Sequence, residues 1–291
     1  MALNERDDIS IVQIIVYVPT LFLALWLAIR HGFGRNAGWY YLIVFSLARI
    51  IGASLQLATI SDPTNTSLHI GSITLQTIGL SPLIMVQIAL IGRALGSIRK
   101  ATTSFVTEKR LRLVQIVALI GLILGITGGT QSGQDYSKNG TYTISDLSKY
   151  GMGLTIAAYI LLALTTIIVA TQRAHIEPGE TRLLLIVSLC LPFILVRLIY
   201  SVESVFGNNP SFNQLTGDVN IQLGMAVIIE MIVVFIVEGI GMTLKKLPKA
   251  KAAPKADSYP QRNGYQQSWQ QMDSDHEMGG YNGYSGHNGY K

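Results

Sequence analysis

The run LLLIVSLCLPFILVRLIYSVE, Leu183–Glu203, is twenty-one residues long, with a single charge, Arg197, inside it and Glu203 at its end. As a helix rising about 1.5 Å per residue, it is long enough to cross the hydrocarbon core of a bilayer, roughly 30 Å thick. Six more runs share this character: Ile9–Ile29, Trp39–Ile60, Leu68–Gly92, Leu111–Gly128, Ser148–Ala170 and Gly217–Met242. Hydrocarbon offers no water to backbone N–H and C=O groups, so each run must satisfy its own as a helix. The chain therefore reads as all-α, a seven-transmembrane helix bundle. The run Leu111–Gly128 is the shortest, and its Gly-Ile-Thr-Gly-Gly-Thr end (Gly125–Thr130) reads as a frayed terminus.

Composition agrees. The chain has 291 residues, 49% hydrophobic and 13% charged, with mean hydropathy +0.39, about half the charge of an ordinary soluble domain. Its net charge of +5 does not point to nucleic acid, because the Lys and Arg residues sit in loops beside the spans. The one cysteine, Cys190, lies in an apolar run, so no intrachain disulfide forms. The short acidic segment Met1–Asp8 lacks the basic region of a signal peptide, and the first span should be retained.

Counting Lys and Arg sets the direction. The loops after spans 1, 3 and 5 and the opening of the tail after span 7, through Lys255, hold fifteen, including Arg30, Arg93, Arg112, Arg173, Arg182, Lys245, Lys246, Lys249, Lys251 and Lys255. The opposite side holds three, Arg6, Lys138 and Lys149. Basic loops stay cytoplasmic, so the N-terminus is expected outside and the C-terminus in the cytoplasm, in a plasma membrane or an endomembrane. Asn65-Thr-Ser and Asn139-Gly-Thr fit the glycosylation acceptor pattern on the outward side; Asn139, in a loop of some twenty residues, is the better placed.

Three parts follow: a short N-terminus (residues 1–8), the membrane domain (9–244) and a tail (245–291). The tail starts with lysines and becomes rich in Gly, Tyr, Asn and Gln, and this composition predicts disorder. Lys245, Lys246, Lys249 and Lys251 could hold anionic lipid, and the tail could recruit cytoplasmic proteins.

Charges inside the spans are costly and normally face the bundle interior. Arg49, Arg197 and Glu230 lie about ten, fourteen and thirteen residues from the cytoplasmic ends of their spans, at depths of roughly 15, 21 and 20 Å. A buried Arg-Glu-Arg cluster near the midplane is expected. Ser46, Arg49, Ala53 and Gln56 form one helical stripe. Gln76 and Gln87, eleven residues apart with Gly79 between, should share a face, and Tyr200 should project with Arg197. Interhelical hydrogen bonding alone would explain part of this pattern; a polar cavity would explain all of it. Pro82 and Pro192 would each free a carbonyl and could kink spans 3 and 6. Glu238, near an inner end, should snorkel to the interface.

The missing residues narrow the chemistry. The five histidines lie outside the span interiors, so paired haem ligands and a zinc-hydrolase set are lacking. Span 7 has no lysine for a retinal Schiff base. There is no phosphate-binding glycine loop and no core carboxylate pair. Neither catalysis nor a cofactor is expected.

The Arg-Asn-Ala-Gly-Trp-Tyr run (Arg35–Tyr40), Arg-Ile-Ile-Gly (Arg49–Gly52) and Arg-Leu-Ile-Tyr-Ser (Arg197–Ser201) resemble those of uncharacterised fungal seven-span integral membrane proteins, grouped under a domain of unknown function. That resemblance covers roughly residues 5–245. A fainter similarity is to the fungal RTA-like lipid-translocating exporters, through the spacing of Arg197, Tyr200 and Glu203; Ser201 stands where that motif has a second Arg. Two functions remain open. One is binding or translocation of a lipid or other small lipophilic ligand through the polar site. The other is a seven-span receptor or sensor signalling through its basic loops and tail. A scaffold whose tail recruits partners is a third reading.

Overall fold

The structure, a computed structural model, describes residues 4–32, 38–101, 107–139, 143–176, 180–207, 209–213 and 217–244. The chain divides into a unit of residues 1–246 and a second of residues 247–291. The tail, with its expected disorder and Lys245, Lys246, Lys249 and Lys251, lies outside the described residues.

Among the described residues, seven helical spans are long and apolar enough to cross a membrane. They are built from α1 (Glu5–His31), α2 (Trp39–Ala58), α3 (Thr66–Thr77), α4 (Leu80–Ala101), α5 (Glu108–Asn139), α6 (Asp146–Thr171), α7 (Thr181–Phe206), α8 (Val219–Gln222) and α9 (Ile229–Met242). The third span is two helices, α3 and α4, separated at Ile78-Gly79. Pro82 favours the separation, since it has no N–H to offer the Ile78 carbonyl and stands in the first turn of α4, where a proline is readily accommodated. The seventh span joins α8 to α9 through a π-helical segment, Leu223–Ile228. Pro19 and Pro192 sit inside α1 and α7 without ending them.

The pairings α1·α2, α2·α3, α3·α5, α5·α6, α6·α7, α7·α9 and α9·α1 close a ring, and α4 packs on α2, α5, α6 and α7 from within it. The most apolar window of the α3–α4 span is 94% buried, against 28–50% for the other six spans. The third span thus starts as a member of the ring and, after its break, becomes the axis of the bundle. Ring helices turn Ile15, Phe22, Ile123, Ile167 and Phe235 outward, where acyl chains receive them.

Helix α5 corrects the sequence reading. It runs to Asn139 and is the longest helix described, and within the run taken for a frayed end Gly128 is a packing site, where a Cβ would lie 2.3 Å from Ser148 N of α6. Gly121, Gly125, Gly129 and Gly133 recur every four residues and form a stripe. A Cβ on Gly151 of α6 would lie 2.8 Å from Gly125 N and 2.9 Å from Gly121 O, and one on Gly133 would lie 2.8 Å from Ile70 of α3. Small residues let membrane helices approach this closely. The twenty-residue loop expected around Asn139 therefore shrinks to the few residues before α6. Asn139 is the last residue of α5, its side chain outside the described set, and Asn65 is the N-cap residue of α3.

At the basic side of the bundle, where α9 ends, two guanidiniums hold its last carbonyls. Arg30 donates to Met242 O at 3.1 Å and Arg182 to Thr243 O at 2.9 Å, cations placed where the helix dipole favours them. Arg93 pairs with Glu180 at 3.1 Å in a buried contact. Glu238, expected to snorkel, is instead 2% exposed, and neither of its oxygens has a partner; it sits more than a turn inside α9, with no path to the interface.

Candidate functional site

Because α3 lies in the ring and α4 begins only at Leu80, side chains fill the axis of the N-terminal half. Arg49 of α2, Arg197 of α7 and Glu230 of α9 meet there, each 1–2% exposed. Arg49 Nη2 lies 2.5 Å from Glu230 Oε1, and Arg197 Nε donates to the same oxygen at 2.8 Å. Arg197 Nη1 also donates to Ser201 Oγ, and its guanidinium lies 5.4 Å from the centre of the Tyr200 ring. Arg49 Nη1 donates at 3.0 Å to both the side-chain and the backbone oxygen of Gln76. That backbone carbonyl is one that the helix break leaves without an intrahelical partner, so Arg49 caps α3 while pairing with Glu230. Gln76 Nε2 donates in turn to Gln13 Oε1 of α1 at 3.0 Å. Five spans contribute side chains to this network, and α3 adds a backbone carbonyl besides its Gln76 side chain.

Two backbone irregularities converge on it. A Cβ on Gly79 would lie 1.7 Å from Arg49 Nη2 and 2.6 Å from Glu230 Oε1, so the chain can pass beside the ion pairs only as glycine. The π-helical segment ends just before Glu230 and contributes Ala226 and Val227 to the lining beside the cluster. Irregular backbone at membrane depth persists where it is buried in protein or lines a cavity.

Hydrogen bonding at the cluster is incomplete. Both guanidiniums use Oε1, and Glu230 Oε2, Arg49 Nε and Tyr17 Oη are buried without a partner. Beside them lies a cavity with room for about one water, lined by Arg49, Gln76, Arg197, Tyr200, Gln222 and Glu230. A second cavity, lined by Arg6, Ser10, Gln56, Ser72, Gln76 and Gln222, shares two of these residues. A third, of about 500 Å³, shares Arg6, Gln56 and Ile73 with the second and adds Asn4, Thr66, His69 and Tyr136. Through these shared residues the three cavities follow one another from the N-terminal side to the ion pairs.

The sequence-derived residues fall into three levels. Arg49, Gln76, Arg197, Tyr200 and Glu230 are brought together. Gln56 lies one layer outward, donating to Asp7 Oδ1 at 3.2 Å and accepting from Ser72 Oγ at 3.1 Å. Gln87 is not in the cluster. It is fully buried farther along α4, its amide without a partner, because the break at Gly79 resets the helical phase and moves α4 to the axis. Ser201, on the Arg197 face of span 6, and Gln222, at the outer end of span 7, are polar residues the sequence also offers beside the cluster, and both reach it. Gln13 is the addition, and a glutamine inside the first apolar run was the available signal for it.

These features define a class: a multi-pass helical membrane protein with a buried, multiply charged site beneath a polar vestibule. Residues 3–247 match the family described as a domain of unknown function, DUF7702, and the chain belongs to it. No curated protein and no solved structure matches the chain.

Proposed function

We propose that the protein binds a small amphiphile that enters from the N-terminal side, its polar end directed toward the Arg49–Glu230–Arg197 cluster, as one stage of moving it across the membrane. The observation that carries this reading is the run of three cavities with shared lining residues, which ends on ion pairs whose hydrogen bonding is incomplete. Polar groups at membrane depth that exceed what packing requires are characteristic of ligand and ion paths. Discontinuous helices at such a site are the usual construction in transporters. With the basic side cytoplasmic, as the loop charges favour, the vestibule faces outward and the axis below the cluster is closed by α4. Passage would then need α4 to move, with Ile78-Gly79 as the hinge.

The test uses the full chain in lipid nanodiscs and a panel of fluorescent short-chain lipids and fatty acids. Gln222 lines the junction of the two inner cavities and has no partner of its own to lose, so Gln222→Phe blocks the route and should spare the fold. Binding should weaken by about tenfold or more with little change in Tm. Equal binding by the wild type and Gln222→Phe would refute the reading. A sensor would use the same pocket; uptake of the labelled ligand into proteoliposomes, lost in Gln222→Phe, marks translocation.

A further inference from the structure

From the charge balance along this route, and resting on the binding reading above, we infer that the ligand's polar end is an anion of the phosphate or carboxylate class. The three cavities are lined by Arg6, Arg49 and Arg197 against one carboxylate, Glu230. The carboxylates Asp7, Asp62 and Asp218 line none of the three, and each accepts hydrogen bonds from the chain; Asp62 takes the Thr64 hydroxyl and the Asn65 amide. Asp7 takes the Asn4 backbone N–H and the Gln56 amide, and Asp218 takes the Asn220 N–H. At the cluster itself two guanidiniums share one oxygen of one carboxylate, a surplus of one positive charge at 1–2% exposure.

Uncompensated charge of this kind is costly in a medium of low dielectric. The other polar groups of the lining, Gln76, Gln222, Ser10, Ser72 and Tyr200, are uncharged and stand among apolar residues such as Ile9, Ile73, Ala226 and Val227, which suit the chain of an amphiphile. Guanidinium groups present paired N–H donors that match the oxygens of phosphate and carboxylate. A cationic end would meet like charge at the cluster, where two guanidiniums face one carboxylate. An anion instead supplies the counter-charge the cluster lacks.

Gln222 allows the charge to be changed without touching the ion pairs, because it faces two of the cavities and makes no side-chain hydrogen bond to lose. The full chain in neutral phosphatidylcholine nanodiscs is titrated with three probes of equal chain length, dodecyl phosphate, dodecyltrimethylammonium and dodecyl maltoside, and with inorganic phosphate. Dodecyl phosphate should bind tightest, about tenfold tighter in Gln222→Lys and about tenfold weaker in Gln222→Glu, the size expected for one charge at side-chain distance in a partly screened site. Competition by inorganic phosphate at similar concentration identifies a free anion as the ligand; its failure to compete identifies a lipid headgroup, and both fit the inference. Tighter binding of the ammonium probe, or a Lys and Glu pair that shifts affinity in one direction, overturns it. If the neutral or cationic chain binds best and Gln222→Phe abolishes that binding, the route stands and the anion does not. If no probe binds, both fail.

Discussion

The two ends of the third span solve one packing problem in opposite ways. A ring of helices leaves an axis that something must fill. In the basic half α4 fills it, and Leu83, Ile84, Ile88, Leu90, Ile91 and Leu95 are almost entirely buried around it. In the N-terminal half α3 stays in the ring, and the axis is left to two arginines, a glutamate, glutamines and connected cavities. A helix on the axis makes a close-packed core that resists change in volume. Polar side chains on the axis leave space, which a binding site needs and a close-packed core avoids; buried groups without partners occur in both halves, Gln87 and Glu238 being those of the basic one.

This contrast can be broken by substitution, and the effects should differ in size and kind between the halves. The largest is expected at the ion pairs. Glu230→Ala leaves two buried guanidiniums without their carboxylate and should cost about 3–5 kcal/mol, read as loss of folded protein in denaturant titration from mild detergent. Glu230→Gln keeps the shape and should cost less, and a similar loss for both would show that charge alone holds the site.

Next comes Ile88→Ala on α4, where the fully buried side chain has no room to be replaced; about 2–4 kcal/mol should be lost through the cavity left behind. The same truncation at Ile73, which lines the outer cavities, should cost under about 1 kcal/mol, since it only widens space already present. Equal costs at Ile88 and Ile73 would erase the distinction between the halves.

The smallest effect is predicted for Gln13→Leu. It removes the outermost hydrogen bond of the network, and interhelical bonds of this type average about 0.6 kcal/mol. Tm should barely move, while dodecyl phosphate affinity changes only through the position of Gln76.

Much of this was legible in the chain. Seven apolar runs gave seven spans, and counting residues from the basic ends placed Arg49, Arg197 and Glu230 at one level, where they meet. Depth is readable because a helix advances by a fixed rise, and rotation is readable only while the helix is unbroken. That is why Gln76 and Gln87 were wrongly set on one face: the phase is lost at Ile78-Gly79, and Pro82 signalled a kink without giving its direction. The length of α5 was misread for a different reason. Glycine lowers helix propensity in water, but between packed membrane helices it is the residue that permits contact, and the four-residue recurrence from Gly121 to Gly133 was the overlooked signal. Glu238 was judged by its distance from the helix end, whereas burial depends on which neighbours cover it. The central position of α4 has no local signature at all, since every span is apolar enough for the lipid-facing ring.

Access to the two halves can be compared directly, because Cys190 is the sole native cysteine and is fully buried. On a Cys190→Ala background, single Gln56→Cys, Gln222→Cys and Ile88→Cys variants in sealed proteoliposomes are exposed to a small charged thiol reagent from the N-terminal side. The account predicts rapid labelling at position 56, slower but complete labelling at 222, and none at 88 until the protein is unfolded. Protection of position 222 equal to that of 88, with 56 labelled, would mean that the polar route stops short of the ion pairs, and the central claim would be wrong.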